Sequence, residues 1–151
     1  MRLAVTTPLD PSAAILARAR ASADRRALPF HPRSNRSLAQ VAASAGADAL
    51  LVLGAHAALW TDGAEQRWHA GMGGLRAKRL AQGETTTSDS FLQSARLRPG
   101  DAVLDGTLGL GADALVAAAA VGPGGRVVGL ESYPLLAAWA GEGLARHPDP
   151  A

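Results

Sequence analysis

The sequence predicts an α/β protein: a small N-terminal α/β unit followed by the first β-α-β-α half of a nucleotide-binding parallel sheet. Short apolar runs bounded by turn residues alternate with longer helical stretches. The run "VLDGTLGLG" at residues 103–111 places a strand directly before a glycine-rich loop and a helix. A second strand and helix follow it. We expect residues 1–69 to form the first unit and residues 70–151 the second, an incomplete domain.

The first unit opens with a strand over residues 2–7. Asp10 followed by Pro11 predicts a helix start, with Asp as the N-cap and Pro at the first helical position. This helix is expected to run to about Arg26, and a loop rich in proline follows it.

The rest of the first unit is predicted to be a helix, a strand and a hairpin. Ser37 can cap the second helix, which Gly46 can end. Residues 49–53 form an apolar run that suits a buried strand. Residues 57–70, "AALWTDGAEQRWHA", are typical of a hairpin that turns at Asp62-Gly63.

A basic helix is predicted to follow a glycine-rich turn in residues 71–83, "GMGGLRAKRLAQG". Its Arg76, Lys78 and Arg79 suit either contact with RNA phosphates or a solvated helix face. Residues 85–97 are expected to form a helix with a Ser or Asp cap, and residues 98–101 a turn.

The clearest pattern lies after that turn. Residues 102–105 predict a strand that ends in Asp105, and residues 112–121 a helix that ends at a glycine-rich turn. Residues 126–131 predict a second strand that ends in Glu131. Tyr133-Pro134 then starts a helix running to about residue 146.

Composition narrows the range of possible functions and sites. Net charge is +2, but seven arginines precede residue 37 against two aspartates, which suits either nucleic-acid contact or a solvated surface. The absence of cysteine excludes disulfides, thiolate catalysis and cysteine-ligated zinc. The four histidines lack metal-binding spacing, so no metal site is expected. Without a signal peptide or a long apolar run, a soluble cytoplasmic protein with no membrane partner is expected.

Three nucleotide sites share a strand followed by a glycine loop. A P-loop is rejected, because Ala112-Asp113 stands where Lys and Ser or Thr are required. Residues 109–114, "GLGADA", do satisfy the dinucleotide pattern, and Glu131 follows Gly111 by 20 residues, where a ribose-binding acid belongs. Against this reading, the carboxylates of Asp105 and Asp113 would repel a pyrophosphate at the helix N-terminus.

S-adenosylmethionine fits these charges better. It has adenine and ribose but no phosphate, and it carries an ammonium and a sulfonium, which nearby carboxylates attract. We therefore expect Asp105 near the ammonium, Asp113 beside the methionine moiety, Glu131 on the ribose, and glycines 106–111 giving close backbone approach. An NAD-binding oxidoreductase half-domain stays the second interpretation. The third is a non-catalytic RNA-binding protein with a vestigial cofactor loop.

Residues 102–147 resemble the start of the class I S-adenosylmethionine-dependent methyltransferases, with a Rossmann-like sheet. Within that class they are most similar to the family of ribosomal RNA small-subunit methyltransferase J and related bacterial proteins. The resemblance rests on an acid-x-Thr-x-Gly-Leu-Gly-x-Asp run from Asp105 to Asp113, then a strand ending in Glu131 and a helix starting at Pro134.

The resemblance implies rRNA as the acceptor, through a guanine amine, and cofactor contacts at Ala112-Asp113 and Glu131-Ser132. The family often has Arg where Ala112 stands. The expected cofactor-binding residues are Asp105, Gly106, Thr107, Gly109, Gly111, Ala112, Asp113, Glu131 and Ser132.

In the family, an acid at the end of the fourth strand, with a Pro-containing loop, faces the target base. The sequence supplies no such strand. We therefore expect a C-terminally truncated chain without the methyl-transfer site, and name no catalytic residue. An incomplete sheet also leaves an uncovered edge, through which copies of the chain are expected to associate.

Overall fold

A computed structural model describes residues 1–83 and 89–147. Residues 85–88, the first part of the helix predicted over 85–97, and those after His147 lie outside the described ranges. The predicted Asp cap is confirmed, since the Asp89 side chain accepts from the Leu92 N–H at the start of the helix. The chain divides into two compact units, Met1–Trp68 and a second unit that begins at His69. The α/β class predicted from the sequence is confirmed.

The first unit contains four strands and two helices, and each strand pairs with the next. The elements are β1 Leu3–Thr6, α1 Ala13–Arg25, α2 Leu38–Ala45, β2 Ala49–Leu53, β3 Ala57–Thr61 and β4 Ala64–Arg67. Strands β1 and β2 are parallel, and β3 and β4 add antiparallel to β2 in the order β1-β2-β3-β4. All of β2 is buried, as the apolar run predicted.

Helix α1 begins later than the sequence predicted. The N-cap is Ser12, whose hydroxyl accepts a hydrogen bond from the Ile15 N–H at 3.3 Å, and the helix starts at Ala13. The assignment of Asp10 as N-cap and Pro11 as first helical residue is therefore wrong. Asp10 and Ser12 are both residue types that favour the N-cap position. Of the two, Ser12 is the one whose side chain accepts from the backbone N–H three residues later in the chain.

Helix α2 is capped as predicted. Ser37 and Gln40 form a reciprocal capping box, and Gly46 ends the helix in the left-handed conformation at φ 58°. The helix packs an apolar stripe on one face of the sheet, where the buried cluster comprises Ala4, Leu38, Val41, Ala42, Leu50, Val52 and Ala58.

The second unit contains a two-stranded parallel sheet and four helices. The elements are α3 Met72–Ala81, α4 Ser90–Ala95, β5 Ala102–Asp105, α5 Ala112–Val121, β6 Arg126–Gly129 and α6 Pro134–Leu144. The β5-α5-β6-α6 order matches the predicted β-α-β-α pattern. One face of the sheet is open: Leu104 is 66% exposed and its partner across the sheet, Val128, 37%.

Candidate functional site

Two acidic residues lie at the carboxyl ends of neighbouring strands in the second sheet: Asp105 is the last residue of β5, and Glu131 lies two residues after β6, which ends at Gly129 and not at Glu131 as predicted. Asp105 pairs in register with Gly129, and its carbonyl accepts a hydrogen bond from the Leu130 N–H at 2.7 Å. Glu131 follows directly. Parallel strands present their carboxyl ends together, and this edge is where α/β sheets bind ligands.

The glycine loop between β5 and α5 is held by hydrogen bonds within itself and to the segment after β6. The Asp105 Oδ1 accepts from the Thr107 N–H at 3.0 Å. Further on, the Leu108 N–H donates to the Leu130 carbonyl at 2.8 Å and the Gly111 N–H to the Leu108 carbonyl at 2.7 Å. Within the described residues, Asp105 Oδ2 and the Gly106 N–H have no partner. A free acceptor and a free donor therefore lie together at the start of the loop.

The three glycines of the loop have different reasons to be glycine. Gly109 and Gly111 have φ of 53° and 82°, which L side chains rarely adopt. Gly111 also lies against α6, since a Cβ there would be 2.8 Å from Leu144 Cδ1. Gly106 has neither property: its φ is outside the left-handed region and a Cβ would meet no atom within 4 Å. The fold itself does not require a glycine at 106.

Glu131 connects the two loops at the sheet edge. Its Oε2 accepts from the Gly109 N–H at 3.1 Å and its Oε1 from the Tyr133 N–H at 2.9 Å. The hydrogen bond from Tyr133 is the main cause that lowers the pKa of Glu131, with Gly109 and Ser132 acting in the same direction. The carboxylate is therefore ionised at neutral pH. Carboxylate oxygens of this kind also accept hydrogen bonds from sugar hydroxyls.

Asp113 is held in an ion pair, whereas the charge argument from sequence treats it as a free carboxylate. Its Oδ1 accepts from Arg76 Nη1 at 2.7 Å, and the same guanidinium binds Asp89 through Nε at 2.7 Å and Nη2 at 2.9 Å. These contacts join α3, the start of α4 and the first turn of α5. The bonds to Asp89 and Asp113 raise the pKa of Arg76, and Arg76 lowers the pKa of Asp89.

The remaining predicted site residues surround this edge. Thr107 and Ser132 are exposed in the two loops that follow β5 and β6. Ala112 lies under helix α3: a Cβ on Gly73 would come within 2.4 Å of the Ala112 carbonyl oxygen. Close packing of α3 on α5 therefore constrains Ala112, and its backbone is covered on that side.

Arg76 has neither of the two roles that the sequence offers, contact with RNA phosphates or a solvated helix face. All three of its nitrogens bind carboxylates of the same unit. Asp89 and Asp113 lie 13 and 37 residues away along the chain, so no local spacing signals the contact. Lys78 and Arg79 on the same helix are exposed.

A cavity of about 520 Å³ in the second unit is a separate feature. Leu92, Arg96, Ala119 and Ala120 are among its lining residues, and none of the predicted site residues is. Ala119 and Ala120 belong to the last turn of α5, whereas the glycine loop precedes the first. In the described ranges, no cluster of three or more His, Asp or Glu residues is placed to hold a metal. None of the helices there is long and apolar enough to span a membrane.

Comparisons with known proteins address the fold. No protein-family profile matches the sequence. The uncharacterised protein YpiP of Bacillus subtilis (strain 168) is 36% identical over 141 residues, which cover 93% of this chain and 54% of YpiP. A crystal structure of a SAM-dependent methyltransferase from Neisseria gonorrhoeae aligns with a TM-score of 0.52 at 21% identity, over 94% of this chain and 51% of that one.

These similarities define the class of fold. The chain has the mixed α/β, Rossmann-like fold of a SAM-dependent methyltransferase over the part that it shares with the Neisseria protein. It spans about half the length of each protein that it matches.

Proposed function

We propose that the protein is an S-adenosylmethionine-dependent methyltransferase and that the glycine loop between β5 and α5 holds the cofactor. The observation that carries the proposal is the start of the loop. Gly106 has an open Cβ direction and a free N–H, and it follows Asp105, whose Oδ2 is free within the described residues. An exposed site of this kind is usually glycine because a ligand approaches the backbone.

The residues at the edge fit the groups that S-adenosylmethionine presents. Asp105 Oδ2 would accept from its ammonium, and the Gly106 N–H would donate to its carboxylate. The Glu131 carboxylate would accept hydrogen bonds from its ribose hydroxyls. When bound, the cofactor supplies a methyl group on a sulfonium, which a nucleophilic nitrogen attacks. The protein's contribution is to hold both reactants in line.

Asp113 has a different role in this proposal from the one the sequence indicated. Because Arg76 binds one of its oxygens, we propose that Asp113 fixes the first turn of α5 beside the loop, with the free part of its carboxylate turned to solvent. Since Arg76 also binds Asp89, its single positive charge is shared between two carboxylates.

An NAD-binding oxidoreductase is the second candidate, because of the same ion pair between Arg76 and Asp113. The ion pair with Arg76 weakens the repulsion that Asp113 would exert on a pyrophosphate at the N-terminus of α5. Asp105 remains unfavourable for a dinucleotide, so the first candidate is the better supported one.

Calorimetric titration of the protein with S-adenosylmethionine and with NAD separates the two candidates. We expect one molecule of S-adenosylmethionine to bind per chain and NAD to bind at least about tenfold more weakly, which is about 1.4 kcal/mol. Tight NAD binding without S-adenosylmethionine binding would refute the proposal in favour of the oxidoreductase.

For the methyl acceptor we propose RNA, and specifically a guanine amine of small-subunit rRNA. Support comes from the resemblance of residues 105–134 to the rRNA methyltransferases and from the exposed Lys78 and Arg79 on α3. Since the chain spans about half of its relatives, the acceptor belongs to the whole protein, and no catalytic residue is assigned here.

Transfer of a tritiated methyl group from S-adenosylmethionine to small-subunit rRNA by the whole protein tests the acceptor. Label in guanine is the expected result, and Asp105→Ala should abolish it. If the protein binds RNA in a salt-dependent way, transfers no methyl group and keeps its RNA affinity in Asp105→Ala, it is an RNA-binding protein with a vestigial loop.

A further inference from the structure

We propose that the first unit carries a second ligand site, a cleft that binds a ribose-phosphate group. The cleft has a volume of about 240 Å³ and lies at the carboxyl ends of β1 and β2. Its polar lining comes from Arg33, His56, Glu65 and Arg67. Every one of these residues belongs to the first unit, so the proposal does not depend on the function assigned to the glycine loop.

One row of residues that are neighbours across the four strands passes along the cleft. Thr6, Val52, Ala58 and Arg67 are direct neighbours across β1, β2, β3 and β4, so their side chains share one face. Val52 and Ala58 belong to the core that α2 covers, whereas Arg67 is exposed on the outer strand. The small Ala58 side chain leaves room beside the guanidinium of Arg67, and this room is part of the cleft.

An unsatisfied hydroxyl lies at the inner end of the same row. Thr6 is fully buried, and its Oγ1 has no hydrogen-bond partner among the described residues. A buried hydroxyl without a partner costs free energy, and such groups in native proteins call for a specific explanation. Thr6 does not itself line the cleft, so its hydroxyl is a buried neighbour of the lining residue Val52 and not a ligand contact.

A hydrogen bond to the backbone fixes the guanidinium of Arg33, which lines the cleft. Its Nε donates to the Arg36 carbonyl at 2.9 Å, and Arg36 Nε donates back to the Arg33 carbonyl at 3.2 Å. Ser34 and Asn35, between them, both take positive φ, at 45° and 61°. Strained loops of this kind occur at ligand sites. Both Nη groups of Arg33 have no partner in the described ranges, so a planar, fixed pair of donors lines the cleft.

The charges of the lining select the ligand. Two guanidiniums with free donors bind phosphate oxygens in the bidentate way that favours arginine over lysine. Glu65, two residues before Arg67 on the same face of β4, would repel a bare anion but accepts from hydroxyls. A phosphate that carries a ribose meets both requirements, because its oxygens face the arginines and its hydroxyls face the carboxylate.

The size of the cleft limits the ligand further. Pockets for complete drug-sized ligands have volumes of about 300–1,000 Å³. At about 240 Å³, this cleft accommodates one phosphate with its sugar, and a base or a following nucleotide would project into solvent. Such a site suits one backbone unit of a single-stranded RNA or a free sugar phosphate.

Nuclear magnetic resonance of the ¹⁵N-labelled full chain tests the site, with ribose 5-phosphate and a hexauridylate oligonucleotide as probes. We expect both probes to shift the amides of Gly54, Ala55 and His56 and the Nε–H of Arg33. Arg67→Gln should weaken binding of both by about tenfold, since hydrogen bonds to charged groups are the strong ones. The matched control Arg20→Gln removes the same charge from α1, outside the cleft, and should leave binding within about twofold.

The comparison between probes identifies the source of the phosphate. Tighter, strongly salt-dependent binding of the oligonucleotide assigns the cleft to RNA, and equal affinities assign it to a free sugar phosphate. The proposal is overturned if neither probe shifts these amides, or if Arg67→Gln and Arg20→Gln lose affinity equally. Loss of S-adenosylmethionine binding at the glycine loop would leave this result unchanged, so the two proposals fail separately.

Discussion

Arg76 Nη1 lies 2.7 Å from Asp113 Oδ1, while its Nε lies 2.7 Å from Asp89 Oδ2. One guanidinium thus joins two carboxylates from different helices, next to the glycine loop. The side chains of Arg76 and Asp89 are 27% and 15% exposed, so water screens their pair only in part. We infer that this contact holds α4 and the start of α5 in place.

Arg76→Gln is expected to destabilise the second unit. Asp89 would lose both of its bonds to the guanidinium and remain largely covered, so the free energy of unfolding should fall by about 1–3 kcal/mol. Urea denaturation measures the change. Lys78→Gln, which removes the same charge from the exposed face of α3, is the control and should cost less than about 0.5 kcal/mol. Equal effects of the two substitutions would show that the ion pairs contribute nothing.

Stability should fall in acid because of Asp89. Its pKa is lowered in the folded state from the ordinary 3.8, chiefly by the hydrogen bond from Arg76. A lowered folded pKa stabilises the protein above the unfolded pKa, and this stabilisation is lost as the pH falls through the folded pKa. Denaturation at pH 7 and below pH 4 should therefore show a decrease that is smaller in Asp89→Asn. An unchanged pH dependence in that variant would contradict the assignment.

Gly106→Val is expected to remove cofactor binding without unfolding the protein. Its Cβ direction is open and its φ suits any residue, so the free energy of unfolding should change by less than about 0.5 kcal/mol. The added side chain would occupy the space next to Asp105, and affinity for S-adenosylmethionine should fall at least about tenfold. Gly124→Val, in an exposed turn with a similarly open Cβ direction, is the control. If both variants bind the cofactor like the wild type, the loop is not the site.

Gly111→Ala should instead destabilise the fold. The substitution imposes a φ of 82° on alanine and forces a Cβ to within 2.8 Å of Leu144. Gly122→Ala, with a φ of 65° and nothing within 4 Å, carries the conformational cost alone. We expect Gly122→Ala to cost about 1 kcal/mol, and Gly111→Ala about 1–3 kcal/mol more from overpacking. Thermal unfolding of both variants measures the difference. Equal losses would mean that Leu144 on α6 moves away from the added Cβ at no cost in free energy.

Local signals explain why much of the fold was predictable. The helix over residues 112–121 was placed correctly because glycines bound it at both ends, and Ser37 and Gly46 marked α2 in the same way. The start of α1 was wrong because two adjacent start signals compete there. Which one caps depends on side-chain reach that a pattern does not encode.

The candidate site was less predictable. Asp105, the loop glycines and Glu131 were found because strand ends and glycine spacing are local features. The sequence does not signal the ion pair of Asp113, because Arg76 reaches it across 37 residues, through packing of α3 on α5 at Gly73. Charge read along a sequence omits the counterions that the fold supplies.

Chemical-shift mapping with S-adenosylmethionine tests the central claim most directly. In the ¹⁵N-labelled protein, we predict saturable shifts of the amides of Gly106, Thr107 and Glu131, at the carboxyl ends of β5 and β6. The absence of shifts at saturating cofactor would contradict the account. Shifts confined to residues around the cavity of about 520 Å³ in the second unit, such as Leu92 and Arg96, would also contradict it.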